Sequence, residues 1–288
     1  MRRRGKTIAQ DDRCIEALRL NGCAGFHGAH QGVCGRLTHL VRGHAYGGQR
    51  RIGDADHGQI IETHDGSHSL LNEQLNETYH SVHGALQESR YVFIQQGLDV
   101  VKENSGKSTI NILEVGFGTG LNALLTLQHS ISEELKIHYT TLEAFPIEKN
   151  IWSKLNYAAS ADSKSLFEKL HHADWDKSVE VTSGFHLQKL HTTLQEVALE
   201  KNLFDLIYFD AFAPNKQPEM WQLPVLQKIA ESMKSGGIFV TYCAKGQLKR
   251  DLKSLNLKVE TLQGPPGKRE MVRDKRLIFH CIQFSPYK

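Results

Sequence analysis

Long apolar runs are missing from this chain: nowhere do about 18 apolar residues follow one another, the length a membrane-crossing helix needs. No apolar stretch follows the basic start Met1-Arg2-Arg3-Arg4, so neither a membrane segment nor a secretory leader is expected, and the expected setting is cytoplasmic. Cysteine is scarce. The five, Cys14, Cys23, Cys34, Cys243 and Cys281, are odd in number and unevenly spread, which argues against a disulfide framework. Cys243 and Cys281 lie in apolar sequence and read as core thiols. Methionine is absent between Met1 and Met220, so an internal start would need another codon.

The net charge of +3 hides an uneven distribution. Residues 1–58 hold ten Lys and Arg against five Asp and Glu, and residues 242–288 hold eleven against four. A basic end beside an acidic body suits a docking polyanion, and a solvated basic face accounts for the same charges. Residues 1–58 also hold eleven of the 24 glycines, five histidines and three cysteines, with little periodicity, and are expected to be a poorly ordered extension. The spacings Cys23 to His27 and Cys34 to His39 lack the compact Cys-x2-Cys knuckle, so no metal is expected.

From Gln59 the texture changes. A short extended run and the Asp65-Gly66 turn signal predict a hairpin, and residues 72–101 read as helical with breaks at His83-Gly84 and Gly97. Residues 59–108 thus form an addition in front of an α/β domain over 109–288. Its strands are read at Thr109–Val115, Ile137–Leu142, Phe185–Leu190, Phe204–Phe209, Gly237–Tyr242, Val259–Leu262 and Leu277–Ile282. Helices are read between them at Leu121–Leu127, Glu148–Tyr157, 161–172, Thr193–Leu199, Leu223–Met233 and Gln247–Leu255. Such alternation predicts a doubly wound, mostly parallel, seven-stranded Rossmann-like sheet.

Gly116, Gly118 and Gly120 stand directly after a strand and before a helix, where missing side chains let a ligand approach the helix N–H groups. The spacing is one residue shorter than the dinucleotide fingerprint and lacks the Lys-Ser/Thr of a phosphate loop, which argues against NAD and ATP. Glu143 ends the next strand, where a carboxylate can accept both ribose hydroxyls. Glu114 either orients the glycine turn or meets the amino end of the ligand. Asp210 ends the fourth strand, followed by Ala211-Phe212-Ala213-Pro214, which offers an aromatic platform and a stiff loop. A carboxylate there can align an amine or take its proton, so a methyl donor binding at the glycine turn is the reading the residues support.

Several further runs are unusually particular: Asp65-Gly66-Ser67, Asn76-Glu77-Thr78-Tyr79-His80-Ser81, Glu88-Ser89, Leu113 to Asn122, Pro218-Glu219-Met220-Trp221 and Gly267-Lys268-Arg269-Glu270-Met271. With Asp210 to Pro214 they resemble the tRNA 5-methylaminomethyl-2-thiouridine methyltransferases, the methyltransferase half of MnmC-type enzymes or its stand-alone form, over about residues 60–283. The resemblance implies that Gly116, Gly118, Gly120 and Glu143 hold S-adenosyl-L-methionine and that Asp210 is catalytic. It further implies that the acceptor is the aminomethyl nitrogen of a modified wobble uridine in tRNA. Relatives contact adenine through an acidic residue after the third strand; here His191-Thr192 takes that place, so His191 is assigned to the cofactor. Tyr79, Phe212 and Pro214 are assigned to the target base, and Lys268, Arg269 and Arg273 to the tRNA backbone. No flavin is expected, because no second glycine-rich strand-turn-helix follows, and a monomer suffices. A small-molecule amine methyltransferase would use the same turn and carboxylate, and a noncatalytic RNA-binding relative would not need them.

Removing residues 1–58 is expected to leave methyl transfer within a few fold of the full chain, measured with labelled cofactor. Loss of folding or of bound zinc on truncation would instead make the Cys/His cluster a structural site.

Overall fold

The computed structural model describes residues 58–277. The Cys23 to His39 spacing and most of the strand expected at Leu277–Ile282 lie outside them. Strands β1 (Gln59–Glu62) and β2 (His68–Asn72) form an antiparallel hairpin, with Gly66 at φ 80° in its turn, and the short β3 (Glu77–Thr78) adds to β2. The side chains of that turn do more than close it. Asp65 accepts from the Ser67 N–H at 3.0 Å and, with its other oxygen, from the Gln87 N–H at 3.0 Å. Thr63 Oγ1 accepts from the Ala85 N–H at 3.3 Å and Ser67 Oγ from the Leu86 N–H at 3.2 Å. Three otherwise orphaned donors at the start of helix α1 (Ala85–Ser89) are therefore satisfied by the hairpin rather than by a capping residue of the helix.

α1 runs without interruption through a π-helical segment (Arg90–Leu98) into α2 (Asp99–Ser105), which stops at the left-handed Gly106. Two sequence expectations change here. Residues 72–84 are strand and turn rather than helix, because the hairpin register uses Leu71 and Asn72 against Thr78 and Glu77. Gly97 does not break the helix: a Cβ there would lie 3.2 Å from Val240 and 3.3 Å from Tyr208, so glycine lets the helix press against the sheet.

The remaining chain builds one eight-stranded sheet. In order come β4 (Thr109–Val115), α3 (Leu121–Ser132), β5 (Lys136–Leu142), α4 (Lys149–Trp152), α5 (Ala161–His172), β6 (Ser178–Thr182), β7 (Phe185–Leu190) and β8 (Phe204–Phe209). A 3-10 turn (Pro218–Trp221), α6 (Leu223–Ser232), β9 (Met233–Thr241), α7 (Gly246–Ser254), β10 (Leu257–Gln263) and β11 (Glu270–Arg276) complete it. The strand order is β10-β11-β9-β8-β4-β5-β7-β6, with β9, β8, β4, β5 and β7 parallel and β6, β10 and β11 paired antiparallel. The expected parallel centre is present. Two strands among the described residues, β6 and β11, are additions to those expected there, and residues 193–199 form turns rather than a helix. No helix among the described residues is long and apolar enough to cross a membrane.

All six residues of β8 are buried, so it must satisfy both faces. Leu206 and Tyr208 face the cluster under the π-segment, α3 and α5, while Ile207 and Phe209 face the cluster under α6 and α7. The chain leaves β4 toward β5 and β7 on one side and returns to β8 on the other, so the crevice at the carboxyl ends of β4 and β8 is the switch point where open sheets take ligands.

Asp274 is an anomaly in this frame. It is fully buried in β11 with neither carboxyl oxygen hydrogen-bonded, and burial pushes its pKa up to about 8. The folded state therefore favours the protonated acid more than the unfolded chain does, and that contribution is lost as pH rises from the ordinary carboxylate range through about 8. Denaturant titrations at pH 5 and pH 8 should show Asp274→Asn losing less stability with rising pH than the parent, by roughly 1–3 kcal/mol. Parallel curves for the two proteins would show that Asp274 carries no such linkage.

Candidate active site

Two sequence features meet at the switch point. After β4 the chain turns on Gly116, Gly118 and Gly120, at φ 93°, 48° and 74°, and enters the twelve-residue α3. The N–H groups of Gly116 and Phe117 both donate to the Leu142 carbonyl, at 3.0 and 3.1 Å, which ties the turn to the end of β5. A Cβ at Gly116 would sit 3.0 Å from the Asp210 carbonyl oxygen, and one at Gly118 would sit 3.2 Å from the Tyr79 ring. Only glycine meets both the positive φ and the close approach.

Glu143 lies beside this turn. Its carboxylate accepts from the Gly118 N–H at 2.9 Å and the Phe145 N–H at 2.9 Å, and burial nonetheless raises its pKa. Tyr79 covers Gly118 and packs edge-on against Phe212, with ring centroids 5.1 Å apart. The neighbouring His80, whose pKa burial pushes down to about 4, meets Thr119 of the turn through Nε2 at 2.7 Å. Ser81 donates its N–H to Glu88 at 2.8 Å. The run from Tyr79 to Glu88 is thus the cover of the glycine turn, held in place by the hairpin.

Asp210 stands at the end of β8 and accepts from Asn122 Nδ2, in the first turn of α3, at 2.8 Å. Its pKa is pushed up to about 7, mainly by burial; Glu88 adds to the rise, while Asn122 and Lys268 oppose it. The loop after Asp210 is fixed by two side-chain donors: Tyr242 Oη to the Ala211 carbonyl at 2.9 Å, and Trp221 Nε1 to the Phe212 carbonyl at 2.8 Å. Pro214 lies in the same loop, half-buried.

Some assigned residues are placed differently from expectation. Glu114 is fully buried on the α3 face of β4, where Thr141 Oγ1 donates to it at 2.7 Å, a placement that suits the first of its two expected roles, orienting the turn. Lys268 pairs with the buried Glu88 and sits 4.1 Å from the centroid of the Tyr242 ring, and Arg273 is held by Glu260 and Gln96 at 3.0 Å each. Lys268 is thus paired with a carboxylate of α1, and Arg273 with its cross-strand neighbour Glu260 in the β10–β11 pair. Arg269 is exposed at the β10–β11 turn. His191 is exposed at the end of β7, and its N–H donates to Asp176 at 3.0 Å. An acidic residue therefore does stand beside that strand end, supplied by the loop before β6. Asn122, Glu88 and Asp176 escape the sequence reading as site residues. The first two lie inside quoted motifs, whereas Asp176 reaches its place only through tertiary pairing.

A family model described as S-adenosyl-L-methionine-dependent methyltransferase matches residues 157–276. The "tRNA 5-methylaminomethyl-2-thiouridine biosynthesis bifunctional protein MnmC" of Pseudoalteromonas atlantica is 31% identical over 217 residues, 68% of this chain and 30% of that protein. The protein of the same name from Marinomonas sp. is 27% identical over 219 residues, 69% and 31% of the two chains. The crystal structure of MNMC2 from Aquifex aeolicus superposes with a TM-score of 0.64 at 25% identity, covering 77% of this chain and 71% of that one. This chain belongs to the MnmC-type methyltransferase family. It spans about a third of the length of the curated relatives it matches. The methyltransferase is S-adenosyl-L-methionine-dependent.

The residues present fit that cofactor. Three positive-φ glycines open the start of α3, whose N-terminal N–H groups suit an anionic end, and the Glu143 carboxylate stands beside them for a pair of hydroxyls. Glu143→Ala should weaken S-adenosyl-L-methionine binding by roughly 1.5–3 kcal/mol in calorimetry, the worth of hydrogen bonds to a charged group. Unchanged affinity would move the hydroxyl contact away from Glu143.

Proposed function

We propose that the methyltransferase acts on the 5-aminomethyl group of a wobble uridine or 2-thiouridine in tRNA, giving the 5-methylaminomethyl group. The observation that carries this reading is Asp210, a carboxylate at the switch point, opening the loop whose Phe212 ring packs against Tyr79. The printed names of the relatives support the same acceptor. In this reading Glu143 and the three glycines hold the cofactor, which supplies a methyl group on a positively charged sulfur. Asp176 and His191, joined at the end of β7, would hold its base. Tyr79 and Phe212 offer flat faces for the target base, since stacking needs no particular sequence.

An aliphatic amine is mostly protonated near neutrality and has no lone pair to give. Asp210 orients the ammonium and takes its proton, and a carboxyl group whose pKa lies at about 7 is well matched to do so. Asp210 would thereby free the nitrogen lone pair for the methyl group that the bound cofactor would supply, and the methylated amine would carry the positive charge. Glu88 keeps Lys268 beside Asp210, so the pocket holds a cation that favours the ionised carboxylate. With Lys268 and Arg273 paired within the fold, Arg269, Lys245 just before α7, and Arg250 and Lys253 of α7 are exposed cations on offer to phosphates.

Single-turnover methylation of aminomethyl-uridine tRNA at saturating cofactor should fall by about 10² to 10⁴ in Asp210→Asn while both ligands still bind. Replacing Arg269 and Arg250 together should weaken tRNA binding and flatten its salt dependence, leaving cofactor affinity intact. Equal rates for Asp210→Asn and wild type would remove Asp210 from catalysis. Salt-insensitive turnover of a free amine would identify a small-molecule acceptor instead.

A further inference from the structure

Beneath Asp210 lies an arrangement that the transfer step itself does not use. Glu114 is fully buried, with Thr141 donating to Oε2 at 2.7 Å and no partner on Oε1. Asn122, also buried, donates through Nδ2 to Asp210 at 2.8 Å and has no partner on Oδ1. The Asn122 side chain and the Tyr139 hydroxyl, itself unpartnered and buried, are the groups beside Glu114. Two acceptor oxygens, Glu114 Oε1 and Asn122 Oδ1, thus lie in a dry site where the Tyr139 hydroxyl, with its one proton, can serve only one of them. The other oxygen is left without a donor. One proton removes the conflict.

We infer that Glu114 is a positioning residue for methyl transfer: as the neutral acid it donates from Oε1 to Asn122 Oδ1 and so holds the Asn122 amide with its NH2 toward Asp210. An amide has one donor end and one acceptor end, so its orientation is tied to where the proton sits. With the proton on Glu114, Asn122 donates to Asp210 and stabilises a carboxylate there. With Glu114 ionised, the amide is drawn to turn its NH2 inward and present Oδ1 to Asp210, which then lacks its donor.

The surroundings favour the first state. The groups facing Glu114 are Tyr139 and Thr141 from β5, Asn122 from α3, and Tyr208 and Asp210 from the β8 strand and its end. None is a cation. Asp210, by contrast, is less buried and has Lys268 nearby. Two carboxyl groups this close do not both ionise readily, and the charge belongs on the one with a cation and access to water. Burial pushes the pKa of Glu114 up to about 8, in the same direction.

The inference rests on Asp210 as the carboxylate facing the acceptor amine, and Glu114→Gln tests it. Glutamine reproduces the neutral acid, accepting from Thr141 and donating to Asn122, but cannot ionise. The variant should keep its neutral-pH single-turnover rate within about threefold of wild type. Wild type should lose rate as pH rises past about 8, and the variant should lack that alkaline fall. Infrared difference spectra of the unliganded full chain, wild type minus Glu114→Gln, should show a carboxylic-acid carbonyl band at neutral pH. A carboxylate signature in its place, a retained alkaline fall, or a loss beyond about tenfold in a folded Glu114→Gln would overturn the inference. Should that variant fail to fold, Asn122→Ala serves: it should lose about tenfold or more in rate with cofactor affinity unchanged, and full activity would overturn the inference. Asp210→Asn at full rate would sink the catalytic reading and the positioning role with it, whereas the acid band reports on Glu114 alone.

Discussion

Moving a carboxylate out of water costs several kcal/mol unless donors and cations take the water's place, and around Asp210 they do so only in part. Asn122 gives one hydrogen bond, Lys268 lies near, and Glu88 works against both. A fully compensated aspartate would stay ionised through all ordinary conditions and hold a proton poorly. An uncompensated one would stay neutral. The incomplete compensation leaves Asp210 near neutrality in its affinity for a proton, and the other parts of the site can be understood by what they add to or subtract from it.

The cover of the glycine turn shows how those parts are brought in. Tyr79, His80 and Glu88 belong to the segment that precedes the sheet, and each reaches a different component of the site: Gly118, Thr119 and Lys268. Their positions depend on the hairpin, whose Thr63, Asp65 and Ser67 side chains satisfy the start of α1. The N-terminal addition is therefore a wall of the site, and its polar turn residues act through helix capping and not through chemistry.

Local pattern in the sequence reveals the elements whose environment is uniform along their length. β4, β7 and β8 fall at the expected residues, because strands buried on both faces or on alternate ones write their period directly into the chain. The glycine turn, Glu143 and Asp210 are legible for the same reason, each sitting at a strand end that the pattern marks. What the pattern cannot show is partnership. Lys268 and Arg273 read as free cations until Glu88 and Glu260, distant or across a hairpin, are seen beside them. Gly97 reads as a helix breaker until the sheet is found 3.2 Å from where its Cβ would lie. Residues 72–84 carry helical composition, but pairing with β2 and contact with the glycine turn decide their path.

The shared capping between hairpin and helix also bears on how such chains diversify. A helix that carries its own capping residue can be grafted, shortened or shifted without reference to what precedes it. α1 has no such residue; its first turn is completed by Thr63, Asp65 and Ser67, some twenty positions earlier in the chain. Descent with modification must then treat the two segments as one heritable block, in which the length of the connecting stretch drifts less freely than its sequence.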